Sequence, residues 1–113
     1  MYKRQELRGQ ALLEGGKPVE AIAPLRKAVQ LSNNAPLIEM LLGQALVGAD
    51  NKAYTEEAIS ILRAAVGRET EAPLGYTELA MAYGRKGDLA DADLASAQAA
   101  YLRGCLLYTS RCV

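Results

Sequence analysis

The sequence predicts an all-α domain of about six helices folded as three stacked hairpins, and three observations lead there. Apolar residues recur at three- and four-residue steps, as in Tyr76, Leu79, Ala80 and Tyr83, which is the period of a helix with one inward face. Small residues keep a longer beat: Gly9 to Gly43 and Ala58 to Ala92 are each 34 residues, while Ala21 to Ala58 and Gly43 to Ala80 are each 37. Breakers separate the apolar stripes, notably Gly15-Gly16, Ser32-Asn33-Asn34-Ala35-Pro36 and Gly87-Asp88. Both longer spacings have one source, a three-residue insertion expected in the turn over 48–54, where added loop length costs little closure entropy.

The first helix is expected from Met1 to Glu14, with Leu7, Ala11 and Leu12 inward and Gly15-Gly16 as its stop. The second starts near Pro18, whose missing N–H costs nothing in a first turn, and turns Ala21, Ile22, Leu25, Ala28 and Val29 inward. Pro24 lies inside it. The spacing favours a continuous helix bent there over a helix that starts afresh near Ala23, because Ala21 and Ile22 match Ala58 and Ile59. A third helix over 36–47, carrying Leu37, Met40, Leu41, Leu42, Ala45 and Leu46, is apolar enough to be the central one. Thr55 is expected to cap the fourth, which presents Ala58, Ile61, Leu62, Ala65 and Val66, and Thr70 to open the fifth in the same way. Gly87 ends the fifth and Asp88 caps a sixth, from Leu89 to Arg103, along which Ala92, Ala95, Ala99 and Leu102 form a narrow stripe.

The order of large residue, small residue and tyrosine, then Gly-Asp, then paired alanines, over 74–102 resembles the tetratricopeptide repeat. That resemblance implies a right-handed α-solenoid in which each hairpin buries its apolar face on its neighbours. The phrases at 21–29, 35–46 and 79–101 are similar to the C-terminal repeat region of BepA-like periplasmic zinc metallopeptidases. The similarity covers 6–104 and implies a periplasmic parent with a separate His-Glu-x-x-His domain, whose helical region contacts substrates or outer-membrane assembly partners. The alternative is a free-standing adaptor or co-chaperone scaffold of the same repeat type.

The two ends read differently from the rest. Cys105-Leu106-Leu107-Tyr108-Thr109-Ser110 is what TGT CTC TTA TAC ACA TCT encodes, which resembles a transposon end used in sequencing libraries; Arg111-Cys112-Val113 and Met1-Tyr2-Lys3-Arg4-Gln5 fit the same element. Residues 1–5 and 105–113 are therefore expected to be adapter translation around a native segment over 6–104. Both cysteines fall in that tail, so they say nothing about redox compartment. Without the ends the chain holds ten basic and thirteen acidic residues, a mild acidity that selects no partner.

Composition excludes several function classes. The chain is 50% hydrophobic and 23% charged, has no apolar run of bilayer length, and scatters its basic residues rather than striping them, so neither a membrane span nor a nucleic-acid footprint is expected. It contains no histidine, so it cannot supply a His-Glu-x-x-His zinc site; no enzyme activity, metal or cofactor is expected of it. The acidic pairs Glu56-Glu57 and Asp91-Asp93 have the spacing of an acid-base or cation site, but Glu56 and Glu57, like Asp88 and Asp91, read as helix first-turn charges.

What remains is binding. In repeats of this type the first helix of each hairpin lines a concave groove that takes extended or helical peptides. Aligning the hairpins places Glu6, Gln10, Met40, Gln44, Thr77, Met81 and Arg85 there, a mixed polar and methionine surface. Positions where some chaperone-binding relatives hold a terminal carboxylate carry Glu6, Gln10, Leu41, Leu74 and Glu78 here, which disfavours carboxylate capture. The last helix is expected to leave Leu94, Ala97, Tyr101 and Leu102 uncovered, with Cys105-Leu106-Leu107-Tyr108 as a makeshift cover and weak self-association as the competitor.

Overall fold

The structure, a computed structural model, describes residues 2–49 and 51–107, with the side chains of 3–49 and 51–104. It is all-α. Six helices follow in order: α1 (Tyr2–Glu14), α2 (Pro18–Leu31), α3 (Pro36–Gly48), α4 (Lys52–Arg68), α5 (Pro73–Lys86) and α6 (Leu89–Leu107). Each helix packs on its chain neighbours, and α3 also touches α1 and α5. Among the described residues α2 and α4 do not pack on each other, nor do α4 and α6. The odd-numbered helices thus approach in a row while the even-numbered ones stand apart.

Three of the links end their helix by one device. Gly16 (φ 75°), Asn33 (φ 59°) and Gly87 (φ 92°) adopt the left-handed conformation, and the next amide reaches back to the carbonyl five residues earlier: Lys17 to Leu12 at 2.8 Å, Asn34 to Val29 at 2.8 Å and Asp88 to Tyr83 at 2.9 Å. Asparagine can stand in for glycine there because its short polar side chain tolerates that region. Asp88 then caps α6, accepting from the Asp91 amide at 3.4 Å, as the sequence predicts.

Two expected caps are corrected. Asn51, not Thr55, caps α4, its Oδ1 accepting from the Ala53 amide at 2.9 Å, while Thr55 is buried one turn inside and donates to the Asn51 carbonyl at 3.1 Å. Helix α5 begins at Pro73 with Ala72 at its cap position and no side-chain cap, so Thr70 stays in the turn. The three extra residues of the second hairpin are not a long loop either. α3 runs to Gly48 and α4 starts at Lys52, which makes α4 17 residues against 14 for α2 and leaves a short link. Winding the insertion into helix satisfies its backbone groups, which a loop would leave to solvent.

Helix α2 passes through Pro24 without interruption, and the proline is buried with Ala21, Ile22, Leu25 and Ala28. Gly9 of α1 and Gly43 of α3 sit at the closest approaches to their partner helices: a Cβ on Gly9 would run into Leu25, and one on Gly43 would stand 2.5 Å from Leu62 Cδ2. Leu25 and Leu62 are wholly buried as a result. This contact sets the register of α1 differently from the expectation. Gly9, Leu12 and Leu13 face inward while Leu7 is 63% exposed and Ala11 is exposed, because turning Leu7 inward would carry Gly9 off Leu25. Helix α3 is buried over most of its circumference, from Ile38 to Val47, as expected of the central helix.

At the other end α6 continues as helix to Leu107 instead of turning at Gly104. The backbone over 105–107 therefore extends α6 rather than folding back over it, and the side chains of that tail lie outside the described residues. Leu94 is 69% exposed and Tyr101 54%, as expected, but Leu102 is buried on the side that packs on α5. Among the described residues no helix is long and apolar enough to cross a membrane.

Candidate functional site

The odd-numbered helices carry the residues singled out from the sequence. Their amphipathic registers turn one face toward the even-numbered partners and leave another over the row α1, α3, α5. A hollow of about 280 Å3 crosses that row, walled by Leu13, Pro18, Val47 and Met81, with Gln44, Glu78 and Arg85 as its polar members. The fold brings three of the expected residues together here: Gln44, half-buried, and Met81 and Arg85, both exposed. A second hollow of about 240 Å3 lies beside it, between α5 and α6, where Thr77 and Met81 meet Ala80, Ser96, Ala99 and Arg103. Thr77 Oγ1 donates to the Pro73 carbonyl at 2.9 Å and accepts from Arg103 Nη2 at 2.6 Å, so its hydroxyl is engaged within the protein.

Glu6 and Gln10 stand apart from both hollows. Glu6 is half-buried, with Lys3 Nζ 3.7 Å from its Oε2, an oxygen that is buried and accepts no hydrogen bond. Gln10 is exposed on α1.

Met40 is a correction. Its side chain is wholly buried, and its Cε lies 2.9 Å from where a Cβ on Gly75 would be. It fills the seam between α3 and α5 that the missing side chain of Gly75 opens, so Met81 is the methionine left on the surface, 48% exposed.

Glu78 is the residue whose role the sequence pattern did not announce. It is 8% exposed, lines the first hollow, and forms no hydrogen bond or ion pair among the described residues. Burial alone pushes its carboxyl above the usual glutamate range. Glu39 makes an instructive control, since it is also 8% exposed and also raised by burial, yet Arg68 opposes the shift from 3.4 Å. Arg68 in turn donates to the Asn34 carbonyl at 2.6 Å, tying the α2–α3 turn to the end of α4. Glu39 is therefore part of a structural joint and Glu78 is not. The spacing of Glu78, Met81 and Arg85 on one face of α5 was the available signal, masked because Glu78 counts as one turn of polar residue on any amphipathic helix.

The opposite side of α5 is settled by internal pairs. Tyr83 is buried, and its hydroxyl accepts from Arg63 Nε at 2.5 Å. Asp91, beside them, has its carboxyl raised by a hydrogen bond to Asp88 and the charge of that neighbour. Among the described residues no group of histidine, cysteine, aspartate and glutamate is arranged to hold a metal ion.

A scan against protein-family models gives no match, and a search of the curated proteins gives none either.

Proposed function

We propose that the chain is a protein-interaction module of the tetratricopeptide type, which holds a peptide segment of a partner along the side formed by α1, α3 and α5. The observation that carries this reading is the hollow across that row, where Gln44, Met81 and Arg85 from two helices converge on apolar walls that include Leu13 at the end of α1 and Pro18 at the start of α2. A surface assembled from several repeats, mixing a flexible thioether with amide and charged groups, suits an extended or helical peptide better than a small molecule. The phrase similarity further supports a parent of the BepA-like periplasmic metallopeptidase class, in which this module would present substrates or assembly partners to a catalytic domain elsewhere in the parent.

Cross-linking tests the reading. Photoreactive peptides drawn from unfolded outer-membrane proteins are expected to label Gln44, Met81 and Arg85. Labelling confined to the exposed faces of α2, α4 and α6 would sink it.

A further inference from the structure

Taking the peptide-binding reading of the α1, α3, α5 side as its premise, the geometry points to a more specific occupant: we propose that the hollow at Glu78 is the seat of a basic side chain of the partner peptide. Glu78 is more than nine-tenths buried, borders the hollow, and has no hydrogen-bond or ionic partner among the described residues. A carboxylate held at the edge of a hollow, largely but not wholly out of water and without a partner, carries a desolvation cost that is relieved when a cation enters beside it.

Among the described residues no cation pairs with Glu78. Arg85 lies two turns along α5 and borders the same hollow without forming an ion pair with Glu78, whose carboxyl is pushed up by burial. The walls match the other half of a basic side chain. Leu13, Pro18, Val47 and Met81 offer apolar surface to a methylene stem, and Gln44 adds a side-chain amide to the lining. A volume of about 280 Å3 admits such a side chain without displacing the helices. The preference inverts the carboxylate capture that the sequence already disfavours.

The test uses the full chain labelled with 15N and three short serine–leucine peptides that differ only at the central residue: lysine, arginine or norleucine, the last keeping the stem and dropping the charge. The lysine and arginine peptides are expected to shift the amides of Gln44, Val47, Glu78 and Met81, with the norleucine peptide binding about tenfold or more weakly. Glu78→Gln, which preserves shape, is expected to erase that preference while its circular dichroism matches the parent. Equal affinity for the norleucine and lysine peptides at the hollow, or an unchanged preference in Glu78→Gln, overturns the basic-side-chain inference and leaves the peptide-groove reading standing. If none of the peptides perturbs the hollow, both are wrong.

Discussion

In the central hairpin Gly43 lets Leu62 lie against bare backbone, and Leu62 is wholly buried. By repeat spacing the same pair in the C-terminal hairpin is Ala80 and Ser96, and there the hollow of about 240 Å3 opens between α5 and α6. The acids differ in the same sense: Glu39 in the central hairpin is joined to Arg68, whereas Glu78 in the C-terminal one is unpaired among the described residues. One hairpin spends its polar and small residues on closing the stack. The other leaves them facing hollows, so open space between the helices of a hairpin appears where the knob-and-glycine contact lapses.

The largest expected effect breaks the central contact. Gly43→Leu is expected to destabilise by about 3 kcal/mol, and even Gly43→Ala should lose stability, because its Cβ would meet three side-chain atoms of buried Leu62 at 2.5, 2.6 and 3.0 Å. Thermal melts decide it; a higher midpoint for Gly43→Ala would mean that the glycine is merely a tolerated helix residue. Arg68→Ala comes next, at about 1–3 kcal/mol, since it leaves the Glu39 carboxylate and the Asn34 carbonyl without their donor. An unchanged urea midpoint would remove the structural joint from the comparison.

A transplant sharpens the contrast further. Ser96→Leu alone places a leucine against the existing Cβ of Ala80, while Ser96→Leu with Ala80→Gly rebuilds the glycine–leucine contact of the first two hairpins. The pair is expected to be more stable than the two single changes predict by about 1 kcal/mol, read from a double-mutant cycle, and strict additivity would show that the two positions do not meet.

The smallest effect is one of pH. A carboxyl raised in the folded state binds its proton more tightly there than in the unfolded chain, so its contribution to stability falls as pH rises from the ordinary value of 4.5 through the raised one. Glu78→Gln should therefore melt higher than the parent at neutral pH, and the gap should close below pH 4.5. A gap of the same size at both ends would assign the effect to packing instead of charge.

Much of the fold was legible because the small-residue beat and the breakers coincide. Gly9 and Gly43 mark the close approaches, and Gly87-Asp88 marks a turn whose stop and cap both form as the residue types dictate. Registers and caps were less legible where two residues competed. Asn51 and Thr55 are both good caps, and only the extra helical turn decides for Asn51; Leu7 is the more hydrophobic choice for an inward face, but Gly9 must meet Leu25. The candidate site was the hardest to read. By repeat alignment Met40 matches Thr77 and Gln44 matches Met81, and residue type does not tell the two methionines apart, yet Gly75 draws Met40 into a seam while Met81 stays half exposed. The hollow beside Glu78 is lined by Leu13, Pro18 and Val47 from distant parts of the chain, which no local spacing records.

The separation of α2 from α4 has a mechanical meaning. Among the described residues that gap is crossed by a solvent-exposed ion pair, Arg26 Nη2 to Glu57 Oε1 at 2.8 Å, while the odd-numbered side is closed by direct helix packing. Packing on one side and a polar contact on the other make the odd-numbered edge the expected spine of any flexing, like the hinge of a book. Salt weakens exposed ion pairs and leaves apolar packing in place, so raising ionic strength loosens the even-numbered edge first and turns the stack into a softer spring without unfolding it.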